Sequence, residues 1–396
     1  MSVHTLTVGS LAPRRGAVRR LLAKDSVARR IDWVLMVAAL ALSGLGTVLI
    51  YSATRNRTDI TGGDPEFFLV RQIVNVAIGL ALAVLIMWLG HHRLRSAVPV
   101  VYVLSLAAMA LVFTPLGTEI NGQRAWLSIG GYTLQPGEFA KVAIVLGMAM
   151  ILADQVDAGD REYPGTRAIL QALALAGAPL CVVVVDDMGM AMVLSFIVLG
   201  ILLASGTPLR WSLGLMLAGV VGAVLVWALG VLDEYQLDRF GAFVNPSLDP
   251  SGVGYNTNQA RIAIGSGGLY GKGLFHGTQT TGQFVPEQHT DFIFTVAGEE
   301  LGFVGAGGII LLIALVLWRA LRIARGSSDL YSTIIAAGIV AWLSFQCFEN
   351  IGMALGIMPV AGIPLPFLSY GGTAMFATWI AIGLLQSIRL KRSLSA

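Results

Sequence analysis

The sequence predicts an all-α polytopic membrane protein: a bundle of about ten transmembrane helices with a large extracytoplasmic loop between helices 7 and 8. Three observations carry that prediction. Of 396 residues, 56% are hydrophobic and only 12% are charged, with a mean hydropathy of +0.75. That is too little polar surface to coat a soluble globule of this size. Apolar runs long enough to cross a bilayer recur along the chain. The basic residues gather in short tails and loops, as they do when they orient membrane helices. Irregular backbone cannot face lipid and no alternating strand pattern points to a barrel, so bundled helices are the architecture expected.

The apolar runs lie near 32–53, 68–90, 96–115, 138–154, 167–185, 188–205, 210–231, 291–318, 330–358 and 371–388. The N-terminal arginines, the turn with His91, His92, Arg93 and Arg95, then Arg210, the group Arg319, Arg322 and Arg325, and finally Arg389, Lys391 and Arg392 fall on one side. That side is expected to be cytoplasmic, with both termini inside. Loop 154–167 carries more acid than base, but acidic residues count little in this rule. The basic start resembles a signal peptide, yet the run after it has no small-residue cleavage site and reads as an uncleaved first helix. The expected organisation is a basic cytoplasmic tail over 1–31, a transmembrane domain over 32–390 with the extracytoplasmic loop at 232–290, and a cytoplasmic tail over 391–396. A net charge of +3 is too small to indicate nucleic-acid binding. Cys181 and Cys347 lie far apart in apolar runs and read as small core residues. No internal repeat marks the inverted halves of a transporter.

In this orientation 54–67, 116–137, the Asp186-Asp187 junction, 232–290 and 359–370 face outward. A reaction on that side must use a substrate that is already activated. The stretch 265–305 is dense in glycine, lysine, histidine and carboxylate. It is not a nucleotide loop: a Walker A needs glycine where Ser266 stands and Ser or Thr where Gly273 stands, and a nucleophile elbow at Ser266 needs glycine at Ile264. Two readings stay open for Lys272: a tightly turning loop, or bare amides and a lysine that approach a phosphate. His276, Glu287, His289 and Asp291 share a loop without a zinc spacing. Charges in or beside the apolar runs are the stronger signal, because burying them is costly unless they are paired or functional. These are Arg71, Glu138, Lys141, Asp187, Asp291, Glu299 and Glu300. Glu138 and Lys141, at i and i+3, can form a structural pair or serve a site; Asp291 can cap the eighth helix or react.

Several motifs in order resemble one family. They are Asn245-Pro-Ser-Leu-Asp249-Pro, Ala263-Ile-Gly-Ser-Gly-Gly-Leu, Gly271-Lys-Gly, His276-Gly-Thr-Gln279, Phe284-Val-Pro-Glu-Gln-His-Thr-Asp-Phe-Ile-Phe294 and Glu299-Glu-Leu-Gly302. With Gln135-Pro-x-Glu138-x-x-Lys141 and Pro364-Leu-Pro-Phe-x-Ser-Tyr-Gly-Gly372, they make the chain similar to the SEDS proteins (shape, elongation, division and sporulation) over roughly 32–390. Gly277-Thr-Gln279 and Asn350-Ile-Gly-Met353 look more like the elongation branch, RodA, than the division branch, FtsW. Two places depart from the family pattern: Asp186-Asp187-Met-Gly stands for Pro-Asp-Leu-Gly, and Pro136-Gly137-Glu138 for Pro-Ser-Glu.

The resemblance implies a peptidoglycan glycosyltransferase that polymerises lipid II, an undecaprenyl-pyrophosphate-linked disaccharide peptide, on the outer face of the cytoplasmic membrane during cell elongation. It implies Asp291 as catalytic base, with Arg71, Glu138, Lys141, Asp187, Lys272, Glu287 and His289 as candidate substrate-binding positions. Pyrophosphate partners are sought among Lys272, Lys141 and Arg71. No cofactor is required, although Asp291 and a substrate pyrophosphate leave room for a divalent cation such as Mg or Mn. Implied partners are a class B penicillin-binding protein and membrane lipids. Two rival readings are a lipid-linked precursor flippase and a non-catalytic scaffold of the elongation complex.

Overall fold

The computed structural model describes residues 30–120, 123–130, 132–230, 241, 243 and 252–395. Its helices are α1 (Trp33–Thr54), α2 (Phe67–Leu89), α3 (Val98–Leu111), α4 (Pro136–Asp157), α5 (Thr166–Asp186), α6 (Met188–Ala204), α7 (Leu209–Ala228), α8 (Val253–Ser266), α9 (Ile293–Arg325), α10 (Leu330–Leu355) and α11 (Gly372–Ser395). Among the described residues eight helices are long and apolar enough to cross a membrane, and α6 and α7 are shorter apolar helices. These ten match the ten runs read from sequence. The basic tail before residue 30 and most of 231–251 lie outside the described residues.

Burial sorts the bundle into a centre and a rim. In α4, α10 and α11 the apolar windows are 67%, 67% and 72% buried, whereas the window that includes α3 is 11% buried. Small residues allow the central helices to approach closely. A Cβ on Gly383 would stand 2.8 Å from the Ala83 carbonyl oxygen, and one on Gly79 would stand 2.6 Å from the Trp379 ring, so α2 and α11 meet almost backbone to backbone. At the far end Asp32 caps α1 by accepting from the Leu35 amide at 3.1 Å, and it also accepts from Arg319 of α9 through both carboxylate oxygens. Gln386 of α11 donates to the Asp32 carbonyl at 2.9 Å. One aspartate thereby fastens three helix ends.

The structure adds to the sequence reading at two places and corrects it at two. The connection 116–137 holds a three-stranded antiparallel sheet, β1 (Gly117–Ile120), β2 (Gln123–Ile129) and β3 (Tyr132–Leu134). Its segments are too short for periodicity to reveal. Loop 232–290 contains α8, which packs on α9 and α10. The C-terminal residues 391–395 continue α11 and do not form a separate tail. Cys347 is buried as expected, but Cys181 is exposed on α5.

The glycine run 267–273 has a packing explanation. Helix α9 breaks at Gly302, whose φ of 68° and ψ of −168° interrupt its helical geometry. The freed backbone pairs with the run: Lys272 and Gly273 amides donate to Glu299 and Glu300 carbonyls at 3.0 and 3.1 Å, and Phe303 and Val304 amides donate to Gly268 and Leu269 at 2.9 and 3.0 Å. A Cβ on Gly271 would lie 2.1 Å from the Glu300 oxygen, at a φ of +80° that disfavours any side chain. Gly271→Ala is therefore expected to destabilise the protein by about 1–3 kcal/mol, seen as a lower thermal midpoint in detergent. Gly44→Ala, where no atom lies within 4 Å of the added Cβ, should leave the midpoint unchanged or raised.

Candidate active site

Seven segments meet at one end of the bundle: the starts of α2, α4, α9 and α11, the chain after α10, the three-stranded sheet and α8. They enclose a cavity of about 530 Å³ whose lining includes Arg71, Gln135, Glu287, Thr290, Asp291 and Tyr370. Asp291 reaches it on a short turn that is held from several sides. Glu287, at φ 49°, directs its carbonyl to the amides of Thr290, Asp291 and Phe292, which donate at 3.3, 3.1 and 3.1 Å. Thr290 Oγ1 also donates to Glu287 Oε2 at 3.0 Å. Asn350 of α10, fully buried, donates through Nδ2 to the Asp291 carbonyl at 2.7 Å and to the Ile363 carbonyl at 2.8 Å. The Tyr370 amide donates to the His289 carbonyl at 2.8 Å. The turn is thus fixed to α10 and to the segment before α11. The cap position of α9 falls on Phe292, so Asp291 is not the N-cap of this helix.

Arg71 is the only cationic side chain among the described residues lining the cavity. Its guanidinium lies 4.1 Å from the Phe67 ring centroid and 5.2 Å from that of Tyr132, a cation held between aromatic faces. Burial pushes the Tyr370 phenol up, and the neighbouring Arg71 opposes that shift.

The other predicted positions stand outside the cavity lining. Lys141 is fully buried 2.7 Å from Glu138, donates to Gln346 Oε1 at 3.0 Å and lies 4.6 Å from the Trp342 ring. Gln346 in turn donates to the Pro364 carbonyl at 2.7 Å, and Pro364 lines the cavity. This pair supports a wall from behind. Asp187 caps α6 by accepting from the Met190 amide at 2.8 Å, and it accepts from Gln135 Nε2 at 3.0 Å. Lys272 is held by Glu299, Ser266 and Thr278 at 2.7, 2.8 and 2.7 Å. Glu299, with no exposed surface, also accepts from the Gln279 and Thr280 amides at 2.8 Å each. His289 packs edge-on against Phe68 at 5.0 Å, beneath the turn.

Sequence reasoning did not single out Tyr370, Asn350, Gln135 or the sheet residues Trp126 and Tyr132 as functional. The motifs holding the first three were noticed, but only as family markers.

The fold and site define a polytopic helical membrane protein with a carboxylate- and arginine-lined cavity at one end of its bundle. The chain belongs to the SEDS family: residues 32–394 match the family model of the cell cycle proteins FtsW, RodA and SpoVE. It is 35% identical over 365 residues to the probable peptidoglycan glycosyltransferase FtsW of Trichlorobacter lovleyi, covering 90% of this chain and 92% of that protein. It is 33% identical over 359 residues to stage V sporulation protein E of Bacillus subtilis, covering 90% and 96%. Among solved structures it resembles the rod shape determining protein RodA of Thermus thermophilus at 31% identity and a TM-score of 0.65, over 91% of this chain and 97% of that one. A chain from a peptidoglycan synthase complex that coordinates polymerization and crosslinking is similar at 31% identity and a TM-score of 0.74, over 91% and 98%.

Burial lowers the His289 pKa from 6.5 to about 4, although nearby Glu287 acts in the opposite direction. The folded imidazole is neutral where the unfolded one is protonated, so the unfolded state binds the extra proton. Stability should be level above pH 6.5 and decline as the pH falls from there toward about 4. Denaturation midpoints of His289→Phe should decline less over that window than those of the parent protein; an identical slope would contradict the assignment.

Proposed function

We propose that the chain is a peptidoglycan glycosyltransferase that polymerises lipid II at the outer face of the cytoplasmic membrane, with Asp291 as general base. The observation that carries this reading is the shared cavity: a carboxylate on a clamped turn and the one arginine among its described lining residues face the same space. Such an arrangement suits attack by a sugar hydroxyl on an anomeric carbon that bears pyrophosphate. The acceptor oxygen forms the new bond to that carbon while the bond to the pyrophosphate oxygen breaks. Asp291 takes the acceptor proton, and the leaving group departs as an anion facing Arg71. The activated donor removes any need for a nucleotide. Outward placement of the cavity follows from the basic residues at the opposite end of the bundle.

Of the three cations considered for the pyrophosphate, Arg71 is favoured, because Lys141 and Lys272 are engaged by Glu138 and Glu299 away from the lining. Asp291 and Glu287 share the lining, and these two carboxylates would offer oxygen ligands to a magnesium-like ion. Such an ion would neutralise leaving-group charge. A class B penicillin-binding protein is the proposed partner, supported by the similar chain in a peptidoglycan synthase complex. The elongation role rests on Gly277-Thr-Gln279, on Asn350-Ile-Gly-Met353 and on the RodA likeness. The FtsW names of several relatives favour division as the second reading.

Purified protein given labelled lipid II should produce long glycan; relocation of intact lipid II without glycan would favour a flippase. In the same assay Arg71→Ala should lose about 10²–10³-fold in rate, the scale for removing a group that stabilises transition-state charge. Lys272→Met should instead lower the thermal midpoint and leave the turnover of folded protein intact. If the loss in rate falls on Lys272 and not on Arg71, the pyrophosphate assignment is reversed.

A further inference from the structure

The cavity lining has a charged part and an uncharged one. Arg71, Glu287 and Asp291 supply the charge. The sheet and its junction with α4 contribute Ile120, Gln123, Trp126, Tyr132, Thr133 and Gln135. None of these six is charged: two are aromatic rings, three are amides or a hydroxyl, and one is aliphatic. Aromatic residues at a membrane surface commonly anchor in the headgroups, but Trp126 and Tyr132 line the same enclosed space as Asp291. Tyr132 is 63% exposed and its ring also faces the Arg71 guanidinium, so the neutral wall adjoins the charged one. Gln135 is preorganised, since its amide donates to the buried Asp187 carboxylate at 3.0 Å.

A neutral wall of rings, amides and hydroxyls matches the surface of an N-acetylated sugar. The C–H face of a pyranose lies against an aromatic ring, and its hydroxyl and acetamido groups exchange hydrogen bonds with amides. A pyrophosphate gains more from a cation such as Arg71 than from an uncharged surface of this kind. We propose that the sheet is a saccharide-binding wall, led by Trp126, that takes an N-acetylhexosamine ring of the substrate while Arg71 takes the pyrophosphate. The inference rests on the lipid-linked sugar reading above and assigns the 117–134 segment a task in it.

The test is binding, not turnover. Full-chain Asp291→Asn protein in lipid nanodiscs is titrated separately with N,N′-diacetylchitobiose and with inorganic pyrophosphate, by saturation-transfer NMR and calorimetry. Adding Trp126→Ala should weaken the disaccharide about tenfold, roughly 1.4 kcal/mol, and leave pyrophosphate affinity unchanged; Trp126→Phe should restore most of the loss. Equal disaccharide affinity with and without Trp126, or no disaccharide binding by the parent protein, overturns the proposal. So does a parallel loss of pyrophosphate binding, which would show that the sheet shapes the whole cavity. If the disaccharide binds through Trp126 yet the native chain, with Asp291 intact, makes no glycan from lipid II, the enzyme reading is refuted and the saccharide wall is upheld.

Discussion

One buried amide ties together the cavity end of this molecule. Asn350 Nδ2 donates at once to the carbonyls of Asp291 and Ile363, joining the turn before α9, helix α10 and the segment that leads to α11. A single such bond contributes only about 1 kcal/mol net, but a buried carbonyl left without a donor costs about 1–3 kcal/mol. Removing Asn350 would take this donor from both carbonyls at once. Two further supports hold the same turn: the left-handed backbone of Glu287 and the Tyr370 amide on the His289 carbonyl. The position of Asp291 is therefore set through its backbone, by the Asn350 amide and by the Glu287 carbonyl, and its side chain lines the cavity without serving as the helix cap.

Charges buried in the bundle divide by their neighbours. Lys141 with Glu138, Lys272 with Glu299 and Arg319 with Asp32 are ion pairs reinforced by further polar partners. Pairing offsets the several kilocalories that an isolated buried ion costs. Removing one member would leave the other uncompensated, so these pairs specify how the helices meet. Arg71 differs, because it is held by aromatic faces beside open space. Such a cation retains attraction for a visiting anion.

Composition and arginine placement were sufficient to read the ten apolar segments, because lipid imposes one length and one backbone solution on each. Asp291 and Arg71 were legible as charges near the spans, Glu287 only through the family resemblance, and all three line the cavity. The glycines at 267–273 were legible as unusual but not as an interlock, since their partner, the break at Gly302, lies about thirty residues on and is defined only by tertiary approach. The role of Lys272 was hidden for the same reason: nothing local to Gly271-Lys-Gly names Glu299 as its counter-ion. The sheet escaped because strands of 4, 7 and 3 residues carry almost no period. Asn350 and Tyr370 are uncharged, and charge was the criterion used to select candidates.

The most direct test of the base assignment is single-turnover glycan formation by purified Asp291→Asn, compared with the native chain at matched lipid II occupancy. An amide preserves shape and cannot take the acceptor proton. Bond formation should fall by about 10²–10⁴-fold, the usual contribution of a positioned base, while lipid II remains bound. Glycan formed at the native rate would contradict a catalytic role for Asp291.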